Sequence, residues 1–301
     1  MKFIAEKTGT LLDTLAHFMD NTSRTKLRTM LTEGRIQVEG AVEHKAKFEV
    51  TKGVMIELLS RVKAHEITPP PAVKQKKINL KILWEDEAIL VVEKPAGLLS
   101  IATDKMEIDT LHGRCVDYVR QKDEENWCYI VHRLDRDTSG IMVFALHQRH
   151  KEYLQSQFAD RAVHRTYHAL VEGRPKEMKG KAREWLVEDK NLFVKRVKST
   201  FHGSKEAITH WEVADTDNHT SLIHITIETG RRHQIRMAMR SLGCPVVGDE
   251  LHGAESNAFS RVCLHASALE FLHPETDEPV RFESKIPFHN DPKKQKIDET
   301  S

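Results

Sequence analysis

Between His132 and Thr138 the chain sets an imidazole, two guanidiniums, two carboxylates, a leucine and a hydroxyl in consecutive positions, and the run Ile141-Met142-Val143-Phe144-Ala145-Leu146 follows almost at once. A segment that apolar reads as a strand buried on both faces, so the charged stretch must lie at the edge of a core. Asp135 sits between Arg133 and Arg136. Opposite charge beside a carboxylate favours its ionised form. An ionised carboxylate can serve as a nucleophile or a base and is unsuited to be a general acid. The competing reading is an ion-paired loop that caps a strand, and on charge alone that reading is favoured, because structural ion pairs cluster in the same way.

Other reactive types are scattered. Cys115, Cys128, Cys244 and Cys263 form no C-x-x-C pair, and the 18 histidines avoid ligand spacings such as H-E-x-x-H. Reduced, buried thiols and no metal site are therefore expected. Gly180-Lys181 is followed by Ala182, and Pro175 stands where a phosphate loop needs its first Gly, so an ATP-driven reaction is poorly supported. Ser23-Arg24-Thr25-Lys26 fits the S-x-x-K nucleophile pattern, but a lone four-residue match at a helix start reads as chance.

The elements that must position Asp135 follow from periodicity. Leu11, Leu12, Leu15, Ala16, Phe18 and Met19 recur at helical steps. After the N-cap residues Asn21-Thr22-Ser23 a second helix runs from Arg24 to Leu31 and stops at Gly34. Arg24 and Arg28 flank its apolar stripe on one side and Lys26 lies on the other. Short Gly-bounded strands are expected at 35–38 and 54–58. The stretch "RVKAHEITPPPAVKQKK", with three consecutive prolines, reads as an extended, solvated linker over 61–78. From 79 to 290 strands dominate: a hairpin through 82–84 and 88–93, then 167–171, 208–213, 222–228, 263–271 and 280–283. Helices are expected at 110–122, 150–160 and 233–241. That pattern implies an α+β domain on a mixed or antiparallel sheet, ending in a charged, disordered tail at 291–301.

Two domains also suit a chain of 301 residues. With 39% apolar and 30% charged residues it reads as a globular protein with a sizeable core. Its longest apolar runs fall far short of the ~18 residues needed to span a bilayer, and charge interrupts Met1–Lys7 before a signal core can form. A cytoplasmic monomer without a membrane partner is expected. The net charge of +1 decides little, since a nucleic-acid binder needs its basic residues on one face rather than in excess.

Residues "LLDTLAHFMDNTSRTKLRTMLTEGRIQVEG" followed by "KGVMIEL" resemble the small αL-type RNA-binding module shared by a small-subunit ribosomal protein and many RNA-modifying enzymes, the S-four domain. Residues 1–60 would be that domain, with Arg24, Lys26 and Arg28 on RNA. "HRLDRDTSG" resembles the signature of RluA-type RNA pseudouridine synthases, in which its Asp is catalytic. Three more segments resemble that family in order: "EDEAILVVEKPAGLLS", "HRTYHALVEG", and "TGRRHQIRMAMRSLGCPVVGDELHG" followed by "LHASALEFLHPETDEP". Together they cover nearly all of the second domain.

The resemblance implies a pseudouridine synthase fold and the isomerisation of uridine within RNA, with no cofactor and no energy source. The base leaves its ribose through nitrogen, turns, and rejoins through carbon. Asp135 would be the catalytic carboxylate, Arg236 would pair with it and hold it ionised, and Tyr167 would pack on the uracil and help with the C5 proton. Arg133 would fill the space left by an extruded base. Apart from the resemblance, Arg165, Arg231 and Arg232 are basic positions that read as contacts to the RNA backbone, with a solvated surface charge as the competing reading of each. Large-subunit ribosomal RNA is the first expectation for the substrate and tRNA the second. The rival readings are a catalytically silent RNA-binding or ribosome-assembly factor and a carboxylate glycosidase acting on nucleosides. Four positions depart from the usual family pattern: Arg165, Ala238, Glu93 and His252 replace a commoner Lys, His, Asn and Tyr.

Overall fold

The computed structural model describes residues 1–20, 22–60, 78–103, 107, 109–189 and 193–288. The expected C-terminal tail, and the expected linker apart from its last residue, lie outside them. The chain divides into two compact units, Met1–Lys77 and Ile78–Ser301.

In the first unit the strands are β1 (Lys2–Ile4), β2 (Gly9–Thr10), β3 (Ile36–Val38), β4 (Ala41–Val42), β5 (Glu49–Val50) and β6 (Met55–Leu58). They form a sheet in the order β1-β6-β3-β4 and a separate β2-β5 pair. Helices α1 (Leu11–Phe18) and α2 (Arg24–Thr32) begin as their caps dictate. The Thr10 hydroxyl accepts from the Asp13 N–H at 3.2 Å, and the Ser23 hydroxyl from the Lys26 N–H at 3.3 Å. The S-x-x-K match is thus a helix cap. At the end of α2, Gly34 takes φ +66°, the Arg35 N–H reaches the Met30 carbonyl at 3.0 Å, and the Gly34 N–H reaches Leu31 at 3.0 Å. This is a Schellman closure, which favours Gly at that position. Leu11, Leu15, Leu27 and Leu31 pack with Ile36 and Ile56 in a core private to this unit.

The second unit is built on β7 (Lys81–Glu85), β8 (Ile89–Lys94), β9 (Tyr129–Ile130), β10 (Ser139–Ala145), β11 (His164–Glu172), β12 (Lys179–Glu188), β13 (Val194–Val197), β14 (Lys205–Thr216), β15 (Thr220–Ile227), β16 (Leu264–Leu272) and β17 (Pro279–Glu283). They join in one sheet, β13-β12-β14-β15-β11-β16-β10-β8-β7, with β9 on β10 and β17 on β16. The apolar run after Asp135 is explained by what covers it. Met142 and Phe144 face the layer that holds Cys115 and Val119 of the helix Leu111–Arg120. Ile141 and Val143 face the layer that holds Leu154 of the helix Gln148–Ala159. A strand sandwiched in this way has no polar side to show.

The sheet is mixed because β10 runs parallel to β16, while its pairing with β8 is antiparallel. Gly140 makes the parallel crossing possible. It has φ +120°, and a Cβ there would lie 2.2 Å from the Ala266 carbonyl oxygen. Strands β12 and β13 were not expected from the sequence: Lys179-Gly-Lys-Ala-Arg-Glu carries too many charges to signal a strand, and pairing with β14 supplies what propensity does not. Gly180, near the failed phosphate-loop match, lies inside β12 against Trp211. All four cysteines are buried and unbridged. Among the described residues no helix is long and apolar enough to cross a membrane.

Candidate active site

Asp135 lies in the loop between β9 and β10, and that loop is clamped from below by the turn after β8. Lys94 is fully buried, and its ammonium donates to three carbonyls: Pro95 at 2.9 Å, Leu98 at 2.8 Å and Arg136 at 2.9 Å. The Ser100 hydroxyl donates to the Leu134 carbonyl at 2.7 Å and accepts from the Leu134 N–H at 3.1 Å. The Gly97 N–H reaches the Arg136 carbonyl at 2.9 Å. The residues on both sides of Asp135 are therefore tied to one turn, and the carboxylate between them has little freedom to swing. Burial pushes the Lys94 amine down to about 7, against the pull of Asp137 and Asp135. His132, earlier in the loop, accepts the Val143 N–H at 3.1 Å through Nε2 and stacks on Phe158 at 4.7 Å. Burial, helped by Arg165, pushes it down to about 3, so it is a neutral ring that orders the loop.

The opposite wall is the turn leading into the helix Gln234–Ser241. Gln234 knots that turn: its Oε1 accepts from the Thr229 hydroxyl at 2.7 Å and the Arg231 N–H at 3.0 Å, while its Nε2 donates to the Ile208 carbonyl at 2.8 Å. His233 at the helix start adopts a left-handed conformation, φ 53°. There its backbone N–H donates to Asp135 Oδ2 at 3.2 Å.

The expected Arg236–Asp135 pair is not formed. Both prongs of the Arg236 guanidinium go to Asp249, Nε to Oδ2 at 2.7 Å and Nη2 to Oδ1 at 2.5 Å, in a buried, bidentate ion pair. Three of its five N–H donors stay off Asp249, yet among the described residues none makes an ion pair with Asp135, so Arg236 acts on that carboxylate only through space. Burial works against the Arg236 charge, and the Asp249 carboxylate, with Asp135 and Asp137 adding to it, more than offsets that. The expected ionisation balance at Asp135 is also corrected. Burial pushes its carboxyl up from the ordinary range, outweighing Arg236, the His233 N–H, Arg133 and Arg232, which all pull it down. Asp135 opens onto the cavity but is otherwise surrounded by protein.

Tyr167, on β11, is 8% exposed and lines the same cavity. Burial raises its hydroxyl above the usual phenol range; Asp135 adds to the rise and Arg165 opposes it. A phenol in that state is a flat apolar wall and a hydrogen-bond donor, and is ill suited to remove a proton.

The cavity has a volume of ≈ 680 Å³ and gathers Asp135, Tyr167 and Arg236. Arg133, Arg165, Arg231 and Arg232 line it too. Arg133 is exposed. Arg165 donates to the Glu228 carbonyl at 3.2 Å and lies over the Phe158 ring at 5.6 Å, and its Nε is enclosed without a partner among the described residues. Arg231 donates to the Glu206 carbonyl at 3.0 Å, and Arg232 pairs with Glu188 at 2.9 Å. Arg24, Lys26 and Arg28 belong to the first unit. Arg24 is paired with Asp13 at 2.9 Å, while Lys26 and Arg28 stand exposed on α2.

Sequence reasoning missed Phe158, Arg161 and Lys205 in the cavity wall. It also missed the roles of Lys94, Asp249 and His233. A Lys before Pro and an Asp after Gly carry no local mark of burial, so for these there was no signal to read.

A family model described as RNA pseudouridylate synthase matches residues 88–241, a span that holds Asp135, Tyr167 and Arg236. An uncharacterized RNA pseudouridine synthase of Bacillus subtilis is 35% identical over 211 residues, 69% of this chain and 69% of that protein. A protein of Zymomonas mobilis named ribosomal large subunit pseudouridine synthase D is 31% identical over 298 residues, 94% of this chain and 92% of its own. The solved structure of human RNA pseudouridylate synthase domain containing 4 matches with a TM-score of 0.58 and 21% identity, covering 69% of this chain and 88% of that one, a likeness of fold.

Proposed function

This chain belongs to the RNA pseudouridylate synthase family, and we propose that it isomerises uridine in large-subunit ribosomal RNA with Asp135 as the catalytic carboxylate. One observation carries the reading: Asp135 and Tyr167 line a single cavity of ≈ 680 Å³ rimmed by guanidiniums, a space suited to one extruded nucleoside. The ribosomal target draws its support from relatives whose names specify the large subunit.

The uridine is first swung out of its stack, at a cost of a few kcal/mol. Exposed Arg133 stands at the cavity wall, where it fills the vacated place or holds a phosphate. Asp135, fixed by the loop clamp and the His233 N–H, then attacks the ribose or base or takes a sugar proton. The C1′–N1 bond breaks, the detached uracil turns in its plane beside the flat Tyr167 ring, and a C1′–C5 bond forms; C5 then gives up its proton to solvent and N1 takes one up. Nothing is added or lost overall, so the reaction needs no external group. A clamped carboxylate and a closed wall supply orientation, the main requirement when a free base must rejoin the same sugar. Arg236 serves as a buried positive charge that favours the ionised Asp135 from a distance. Residues 1–60, with Lys26 and Arg28 exposed, act as an S-four-like RNA-binding module in this reading.

A nucleoside glycosidase would need a protonated acid opposite Asp135. The other carboxylates lining the cavity are Glu188 and Glu228. Glu188 is paired with Arg232, and hydrogen bonds from His210 and Lys181 hold Glu228 well below the usual range. Neither is poised to give a proton.

The test is tritium release from RNA carrying C5-labelled uridine. Wild-type protein should release tritium and Asp135→Asn should not. Background release from both would favour a silent RNA-binding factor, and free uracil in the supernatant would favour a hydrolase. Mapping pseudouridine in ribosomal RNA from a strain lacking the protein then names the target.

A further inference from the structure

We propose that His252 fixes the tautomer of His233, so that His233 presents its Nε2–H to a carbonyl oxygen of the detached uracil. The proposal rests on the function given above and adds a hydrogen-bond donor to it.

His252 ends the short turn Glu250–His252 that follows Asp249, and it is buried. Its Nε2 lies 3.0 Å from His233 Nδ1, with the two rings edge to face at 84°. Two imidazoles that share one such contact have two arrangements, and each fixes where both protons sit. The remaining nitrogen of His252 chooses between them. Nδ1 of His252 is enclosed and has no partner among the described residues. A proton there would be an orphaned buried N–H, whereas a bare lone pair is the lesser loss, since enclosed donors without acceptors are the rarer defect in proteins. The proton of His252 therefore sits on Nε2 and is donated to Nδ1 of His233. Nδ1 of His233 is then an acceptor, and its own proton must be on Nε2.

Both rings are neutral, as this requires. Burial pushes His233 down to about 3, with Arg236 and His252 adding to the fall, and burial lowers His252 against the pull of Asp249. Nε2 of His233 is bonded to no protein group among the described residues and is not among the enclosed, unpartnered atoms. His233 lines the cavity. Its left-handed backbone at the helix start, with its N–H on Asp135 Oδ2, fixes the residue's main chain at the carboxylate, and the contact with His252 fixes its ring. One residue thus offers two donors, the main-chain N–H to the catalytic carboxylate and the ring N–H to the substrate. When uracil leaves through nitrogen, negative charge spreads to its carbonyl oxygens. A fixed neutral donor at that point stabilises the detached base more than the bound uridine.

The experiment is a proton–nitrogen correlation spectrum of the imidazoles in the full chain, read with single-turnover kinetics. In the free wild type both His233 and His252 should appear as Nε2–H tautomers. His252→Phe should shift His233 towards the Nδ1–H form and lower kcat by about tenfold, the worth of one well-placed hydrogen bond, with KM nearly unchanged. His252→Gln, whose amide can still donate to Nδ1, should restore the tautomer and most of the rate. Adding uridine-containing RNA to Asp135→Asn should move the His233 Nε2–H resonance. An Nδ1–H signal for His233 in the free wild type overturns the proposal, as does wild-type kcat in His252→Phe or an Nε2–H resonance indifferent to RNA. The free-protein spectrum needs no turnover, so it judges the tautomer independently of the tritium release that judges the function.

Discussion

At the residue scale, the carboxylate of Asp135 is held where its charge is expensive. Burial raises its pKa, so ionising it is harder in the folded protein than in the unfolded chain. For a group raised in this way the unfolded state loses its proton first, and stability falls as pH rises through the folded value. Asp135→Asn should therefore melt higher than wild type at pH 7, and the gain should vanish at pH 3.5, below the ordinary carboxyl value of about 3.9. Thermal melts at the two pH values check this. By the same shift, the acidic limb of kcat/KM should lie above the ordinary carboxylate range in a rate profile across pH. Asp249→Asn acts in the opposite direction: it strips the buried Arg236 of its partner and should lower stability by about 3–5 kcal/mol in denaturant titrations. Charge alone favoured an ion-paired loop at Asp135, and what made the residue readable was the wording of the whole segment from His132 to Gly140 and its resemblance to the pseudouridine synthase signature. The partner of Arg236 was not readable, because residue type does not say which of several acids a guanidinium takes. That choice is made by the turn that brings Asp249 under the helix.

At the scale of elements, the crossing of β10 and β16 decides whether the Asp135 loop exists. Gly140→Ala puts a methyl group 2.2 Å from the Ala266 carbonyl oxygen, against backbone that cannot retreat. A loss of roughly 3 kcal/mol or more is expected. Gly203→Ala is the control: its φ is also positive, +76°, but nothing lies within 4 Å. It should cost only the strain of the left-handed backbone, about 1–2 kcal/mol. Urea denaturation of the two variants separates a clash from a dihedral preference. The apolar strands and the long amphipathic helices were legible, since periodicity records which face is buried. β12 and β13 were not, because their stability comes from neighbours rather than from their own pattern. The left-handed start of the Gln234–Ser241 helix was equally hidden: His is enriched at positive φ, but over so low a base that the type alone does not single out one of 18 histidines.

At the scale of the whole molecule, each of the two units has its own core. Paired reversal of Lys26 and Arg28 to Glu should raise KM for a long ribosomal fragment by about tenfold while leaving kcat alone. It should also flatten the salt dependence by ~0.7 per lost phosphate contact for single-stranded RNA. Binding titrations across potassium chloride concentrations read both effects. The site itself draws on strands far apart in the chain. Ser139, the first residue of β10, is bonded to His265 of β16 across 126 positions, so one edge of β10 is completed only by the late strand while β8 pairs with the other. During synthesis the N-terminal unit is thus complete while the β16 edge of the strand that follows Asp135 is still unpaired. A nascent chain arrested before Leu264 should be able to grip RNA and yet be unable to rearrange a single base.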